Sequence, residues 1–176
     1  MKRNKIRGSE KSALDTALSI LSRRQITVFK LRQKLLDKGF SAQDVEETTR
    51  KLISWKYLDD VSYAQAYLKS KKDKLSKKKL LYGLIQAGLE KELSWSLLEE
   101  IYPTEQETEN CLQIARKFWD EEEHKWERKL ERNPEKSVLP KELFLKKKVG
   151  DKLITRGYPI SAVKMVLRQV SQREDF

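Results

Sequence analysis

The sequence predicts an all-α fold, an elongated tandem array of three three-helix repeats, and three observations predict it. Glycine and proline are scarce, 6 and 4 in 176 residues, too few for the many tight turns of an all-β fold. Apolar and charged residues are nearly balanced, at 38% and 37%, which suits helices with narrow apolar stripes. A pattern ending in glycine also occurs three times: LRQKLLDKGF at 31–40, LLYGLIQAGL at 80–89 and VGDKLITRGY at 149–158.

The glycines Gly39, Gly88 and Gly157 align the three segments. Apolar residues stand eight before each glycine (Leu31, Leu80, Val149), four before (Leu35, Leu84, Leu153) and three before (Leu36, Ile85, Ile154). Those spacings predict one apolar helix face. Each glycine fits the left-handed position that ends such a helix, and Phe40, Leu89 or Tyr158 follows to pack back on the last turn. Thr27 and Ser76, each twelve before its glycine, are the expected N-caps.

A second helix follows each anchor, carrying Val45, Leu52 and Ile53; then Leu97, Leu98 and Ile101; then Val163, Val166, Leu167 and Val170. Ser41 with Asp44 forms an expected capping box, and Pro159 suits a helix start. A further helix precedes each pair. Its stripe is Ala13, Leu14, Ala17, Leu18 and Leu21 in the first unit. In the second it is Tyr63, Ala64, Tyr67 and Leu68, capped by Asp59 or Asp60. In the third it is Cys111, Leu112, Ala115 and Phe118, with a capping box from Thr104 and Glu107. The repeats run 13–56, 57–103 and 104–176, after a basic flexible tail at 1–12. The anchors lie 49 and then 69 residues apart, so the third repeat carries a charged insertion near 119–140. It is expected to be a solvated extension of that repeat's first helix followed by a loop. Stacked units of this kind bury surface mainly against their neighbours.

A net charge of +11 points to a polyanionic partner. No apolar run reaches the ~20 residues that span a bilayer, and the basic Met1–Arg7 stretch leads into no signal segment. The expectation is a soluble, cytoplasmic chain with no membrane partner. One cysteine, Cys111, excludes an intrachain disulfide and reads as a small core residue.

Catalytic chemistry finds no foothold. The lone His124 has no second histidine or cysteine pair for a metal, and no phosphate loop follows a strand. Asp59-Asp60 has ordinary work as a helix cap. Trp55, Trp95, Trp119 and Trp126 read as packing residues before base-stacking platforms. No enzyme activity, cofactor or metal is expected.

The basic residues carry more. Seven lysines (69, 71, 72, 74, 77, 78, 79) fall between Lys69 and Lys79 against one acid, Asp73, whereas 99–123 holds nine acids. Lys77, Lys78 and Lys79 stand eleven, ten and nine before Gly88; Lys146, Lys147 and Lys148 stand at the same offsets before Gly157. Lysines in a first turn oppose the helix dipole, and a local rule broken twice at equivalent places hints at function. Free N–H groups beside lysines attract phosphate. Leu145 stands where a cap would precede the second triplet, so that helix is expected to begin earlier, near Pro140. The candidate contacts are Lys71, Lys72, Lys74, Lys77, Lys78, Lys79, Lys146, Lys147 and Lys148, with Arg23 and Arg24.

The run at Ile20–Arg24, the LRQKLLDKGF segment, WKYLDDVSYAQAYL at 55–68 with Tyr57, Leu58, Asp59, Asp60, Tyr63 and Ala64, and the SKKKL…GL run at 76–89 together resemble the RecX family. The likeness covers 13–102 well and 143–170 more loosely; 119–140 has no counterpart. It implies a cytoplasmic bacterial protein of tandem three-helix repeats. Such a regulator of recombination and repair binds RecA and the RecA–DNA filament, suppressing ATP hydrolysis and strand exchange. It is expected to act as a monomer, with direct contact to single- or double-stranded DNA open. The rival reading is a helical DNA-binding transcription regulator. Against it, helices such as the one around QDVEET at 43–48 are too acidic for a recognition helix.

Overall fold

A computed structural model describes residues 11–132 and 139–172. Residues 1–10 of the expected 1–12 tail, residues 133–138 of the insertion and the last four residues lie outside them. Among the described residues all regular structure is helical: α1 (Ala13–Leu21), α2 (Val28–Asp37), α3 (Ala42–Ser54), α4 (Asp60–Lys71), α5 (Lys77–Gln86), α6 (Lys91–Ile101), α7 (Thr104–Arg132), α8 (Lys141–Thr155) and α9 (Ile160–Ser171). No helix among them is long and apolar enough to cross a membrane.

Short polar side chains start five helices. Ser12 and Asp15 close a reciprocal capping box on α1, and Thr27, Ser41, Asp59 and Ser76 each accept from an amide of their own helix's first turn. Gly39, Gly88 and Gly157 end the three middle helices at φ +88°, +93° and +90°, a backbone that costs a side chain-bearing residue about 1–2 kcal/mol.

All extensive helix packing lies within three units, α1–α3, α4–α6 and α7–α9. Each unit has a core of its own: Leu31, Leu35 and Leu52 in the first, Leu80, Leu84 and Leu98 in the second, Leu145, Val149 and Leu153 in the third. This corrects the expectation that units bury surface mainly against neighbours. The apolar face of the middle helix is also narrower than its spacing suggested. The residues eight and four before each glycine are fully buried, while Leu36, Ile85 and Ile154 are 49%, 37% and 49% exposed. Positions −8 and −4 differ by about 40° around a helix, but −3 lies about 100° from −4, beyond what two neighbouring helices cover. Ile53 is exposed for the same kind of reason.

The units join through helix ends. The Thr27 hydroxyl, at the start of α2, donates to the Ala87 carbonyl beside Gly88 at 2.5 Å. The Ser76 amide, at the start of α5, donates to the Arg156 carbonyl beside Gly157 at 3.0 Å. Thus α8, α5 and α2 meet end to end, with the C-terminal carbonyls of one facing the N-terminus of the next and opposite dipole ends juxtaposed. Carboxylates from the following unit complete both joints: Asp60 accepts from the Val28 amide at 2.9 Å and Glu107 from the Lys77 amide at 2.8 Å. The expected Thr104–Glu107 capping box is therefore absent; Glu107 caps α5, and the Thr104 hydroxyl receives the Lys77 ammonium at 3.0 Å.

Candidate nucleic-acid and filament interface

The two lysine triplets occupy different environments. Lys77 is buried, and its ammonium is held by Glu99 at 2.6 Å as well as by Thr104. The expectation that Lys77 meets phosphate is corrected on this ground: a buried, paired ammonium is committed to the joint. Lys79 is exposed overall, but its ammonium donates to the Thr155 carbonyl at 2.5 Å, at the end of α8. The negative end of one helix dipole thus offsets the lysines at the start of the next, so the broken rule has a structural resolution. Lys78 projects outward, with no ion-pair partner among the described residues.

The second triplet stands a full turn inside α8, which begins at Lys141. Lys146 pairs with Glu142, Lys148 lies 5.9 Å from the Phe144 ring centre, and Lys147 is exposed. Lys71 and Lys74 are exposed around the end of α4, and Lys72, half-buried, lends its carbonyl to Asn110 of the next unit at 3.3 Å.

Arg23 and Arg24 stand in richer company than sequence reasoning placed them. With Lys11, Lys34 and Lys38 they line a cavity of about 670 Å³ on the first unit, where Asp37 is the sole acidic lining residue. Lys34 in the last turn of α2 and Lys38 at its C-cap stand four residues apart, a spacing the sequence displays. This end of α2 also presents Gly39 to open space, since a β-carbon there would meet nothing within 4 Å.

A second basic face was missed. The charged segment 120–132 continues α7 and sorts its charge by side. Glu122 is buried and accepts from Lys152 at 2.8 Å and Lys125 at 2.6 Å, while Glu123 pairs with Lys141. Burial raises the Glu122 pKa, but hydrogen bonds from Lys125 and Lys152 outweigh it and hold the carboxyl below its ordinary range. Lys125, Arg128, Lys129 and Arg132 share the outward side, lining a shallow cavity of about 360 Å³. Their spacing of i, i+3, i+4 and i+7 was the available signal. Glu122 and Glu123 bind the helix to its own unit, while Arg128, Lys129 and Arg132 face solvent beside the Glu122-paired Lys125.

Of the tryptophans, Trp119 is buried, whereas Trp55 and Trp95 are 52% and 49% exposed, and the Trp126 indole donates to the Leu139 carbonyl at 3.4 Å. Packing accounts for the first and last. No group of histidine, cysteine and carboxylates able to hold a metal occurs among the described residues.

Comparison with known proteins meets the same arrangement. Residues 13–58 match the family model described as RecX, first three-helix domain. The chain is 37% identical over 108 residues to the regulatory protein RecX of Caldanaerobacter subterraneus subsp. tengcongensis, covering 61% of this chain and 55% of that protein. It is 27% identical to the regulatory protein RecX of Clostridium acetobutylicum over 90% of this chain and 68% of the relative. The crystal structure of RecX from Lactobacillus salivarius superposes with a TM-score of 0.64 over 91% of this chain and 95% of that one, at 18% identity, a likeness of fold. With its glycine-anchored three-helix units and the Asp59-Asp60 pair set at the joint between them, the chain is similar in sequence and in fold to proteins of the RecX family.

Proposed function

We propose that this chain is a cytoplasmic, monomeric regulator of homologous recombination and DNA repair that binds RecA and the RecA–DNA filament and suppresses its ATPase and strand exchange. It acts by binding, with no catalytic step of its own. The observation that carries the reading is the distribution of basic surface over a row of end-joined units. The first unit presents Arg23, Arg24, Lys34 and Lys38 around one cavity, and the third presents Lys125, Arg128, Lys129 and Arg132 along one helix side. Lys71, Lys74 and Lys78 lie exposed on the unit between them. Such an array suits a repetitive polyanionic assembly better than a single compact ligand. Spanning neighbouring RecA subunits, it blocks filament extension or holds subunits against the motions that hydrolysis requires.

Sedimentation of the chain with RecA assembled on poly(dT), across a salt series, tests this. The chain is expected to pellet with the filament at low salt. If Arg23 and Arg24 contact single-stranded phosphate, Arg23→Ala with Arg24→Ala lowers the log–log salt slope by about 0.7 per lost contact. A chain that stays in the supernatant at low salt overturns the reading.

A further inference from the structure

The joint between the second and third units opens on one side into a groove of about 880 Å³. Its apolar walls come from four helices: Tyr82 on α5, Trp95 on α6, Ile154 near the end of α8, and Ile160 at the start of α9. These four side chains are 61%, 49%, 49% and 62% exposed. Single exposed apolar residues are ordinary, but four large ones gathered around a concave surface mark a contact site. Tyrosine and tryptophan are also the side chains that most often anchor protein interfaces.

The charge around the groove gives it a sign. Lys77 and Glu99 neutralise each other at 2.6 Å, the Glu107 carboxylate is taken by the Lys77 amide, and the Lys79 ammonium faces the Thr155 carbonyl. Lys78 remains, exposed at the rim. A nucleic-acid subsite would need cations along the groove and flat aromatic walls on which bases stack. Here two of the four exposed walls are isoleucine, and the three lining lysines face Glu99 and Glu107, which leaves a net charge of only +1. The composition matches an amphipathic protein segment that inserts large apolar side chains and sets a carboxylate against Lys78.

We infer that this groove, framed by Tyr82, Trp95, Ile154 and Ile160 with Lys78 at its rim, is the docking site for an apolar, acid-bearing segment of RecA. The assignment rests on the proposed function for the identity of the partner. It divides labour within the chain: the groove holds protein, and the basic clusters of the first and third units hold nucleic acid. The location at a unit joint adds a consequence. A segment seated there touches α5 and α8 together and fixes the second unit against the third.

Fluorescence anisotropy of the labelled full-length chain separates the outcomes, with RecA alone, RecA on poly(dT), and poly(dT) alone as probes. Trp95→Ala, Ile160→Asp and Lys78→Glu change exposed side chains, and an acid at the start of α5 or α9 favours the helix dipole, so circular dichroism should remain that of the wild type. Each variant is expected to bind RecA at least tenfold more weakly, with or without DNA, while poly(dT) binding by Trp95→Ala and Ile160→Asp is unchanged. Variants that bind RecA as the wild type does overturn the groove assignment while the functional reading stands. Loss of poly(dT) binding in step with RecA binding would make nucleic acid the occupant and also overturn it. A wild-type chain that binds neither RecA nor its filament removes the functional reading, and the RecA assignment with it.

Discussion

The Asp60 carboxylate accepts a hydrogen bond from the Val28 amide at 2.9 Å, so an acid at the start of α4 caps a helix of the preceding unit. Its neighbour Asp59 caps α4 itself, through the Val61 and Ser62 amides at 2.9 and 3.0 Å. The paired acids thus perform two tasks in adjacent units, and neither is acid–base chemistry. Asp60→Ala is expected to cost about 1 kcal/mol, and Asp60→Asn, which keeps an acceptor oxygen, clearly less. Urea denaturation of the two variants checks this, and equal losses would contradict the capping role.

Asp59 also carries a pH signature. The Ser62 amide and hydroxyl, with the Val61 amide, hold its carboxyl below the ordinary aspartate value. A folded pKa below the unfolded one gives stability that is present above the unfolded value, near 3.8, and lost as pH falls through the folded one. Asp59→Asn is therefore expected to flatten the fall in stability below about pH 4. Thermal melts from pH 6 down to pH 2 would show it; parallel curves for wild type and variant would count against the cap.

The three anchor glycines separate conformational need from docking need. All have φ near +90°, yet a β-carbon on Gly88 would lie 2.3 Å from the Phe29 Cβ, and one on Gly39 would meet nothing. Gly39→Ala is expected to cost about 1–2 kcal/mol from backbone strain alone. Gly88→Ala should cost clearly more, because the start of α2 has to move off the joint. Denaturant titrations that rank the two equally would mean the close approach carries no energy.

Cys111 is buried in the third core, where loss of solvent first, and the Glu107 charge second, push its thiol up to about 12. At pH 8 it has almost no thiolate and no path for a reagent. An aromatic disulfide reagent is expected to modify it only after denaturant opens the third unit. Stoichiometric reaction within seconds in native buffer would contradict the burial.

Lys77→Ala leaves Glu99 and Thr104 without their partner at a joint where the lysine side chain is 7% exposed. A cost of about 1–2 kcal/mol follows, given that the Glu99 carboxylate is partly solvated. Lys78→Ala, one residue on and facing solvent, should leave stability unchanged within about 0.5 kcal/mol. Thermal denaturation distinguishes them, and identical midpoints would place both lysines on the surface.

Much of this was legible in the residues. Glycine spacing located the middle helices, their left-handed ends and the buried −8 and −4 positions, because those features obey local periodicity. Thr27 and Ser76 were legible as caps for the same reason. What one helix at a time conceals is the second partner. The Thr27 hydroxyl's acceptor is Ala87, and the Lys77 ammonium's is Glu99, 60 and 22 residues away. A lysine triplet that reads as a phosphate site is, in two of three positions, part of a joint. Conversely, Leu36, Ile85 and Ile154 share the apolar spacing yet face outward, since periodicity cannot say how wide a face the neighbours cover. The basic side of 125–132 was open to reading by spacing, but its mixture with acids concealed which charges α8 would neutralise.

The proposed restraint of RecA on DNA is tested most directly by RecA's single-stranded-DNA-dependent ATPase. The chain is titrated from well below RecA up to equimolar, beside an equally basic unrelated protein. Inhibition at substoichiometric levels, absent with the control protein, is the predicted result. An ATPase rate unchanged at equimolar chain would contradict it.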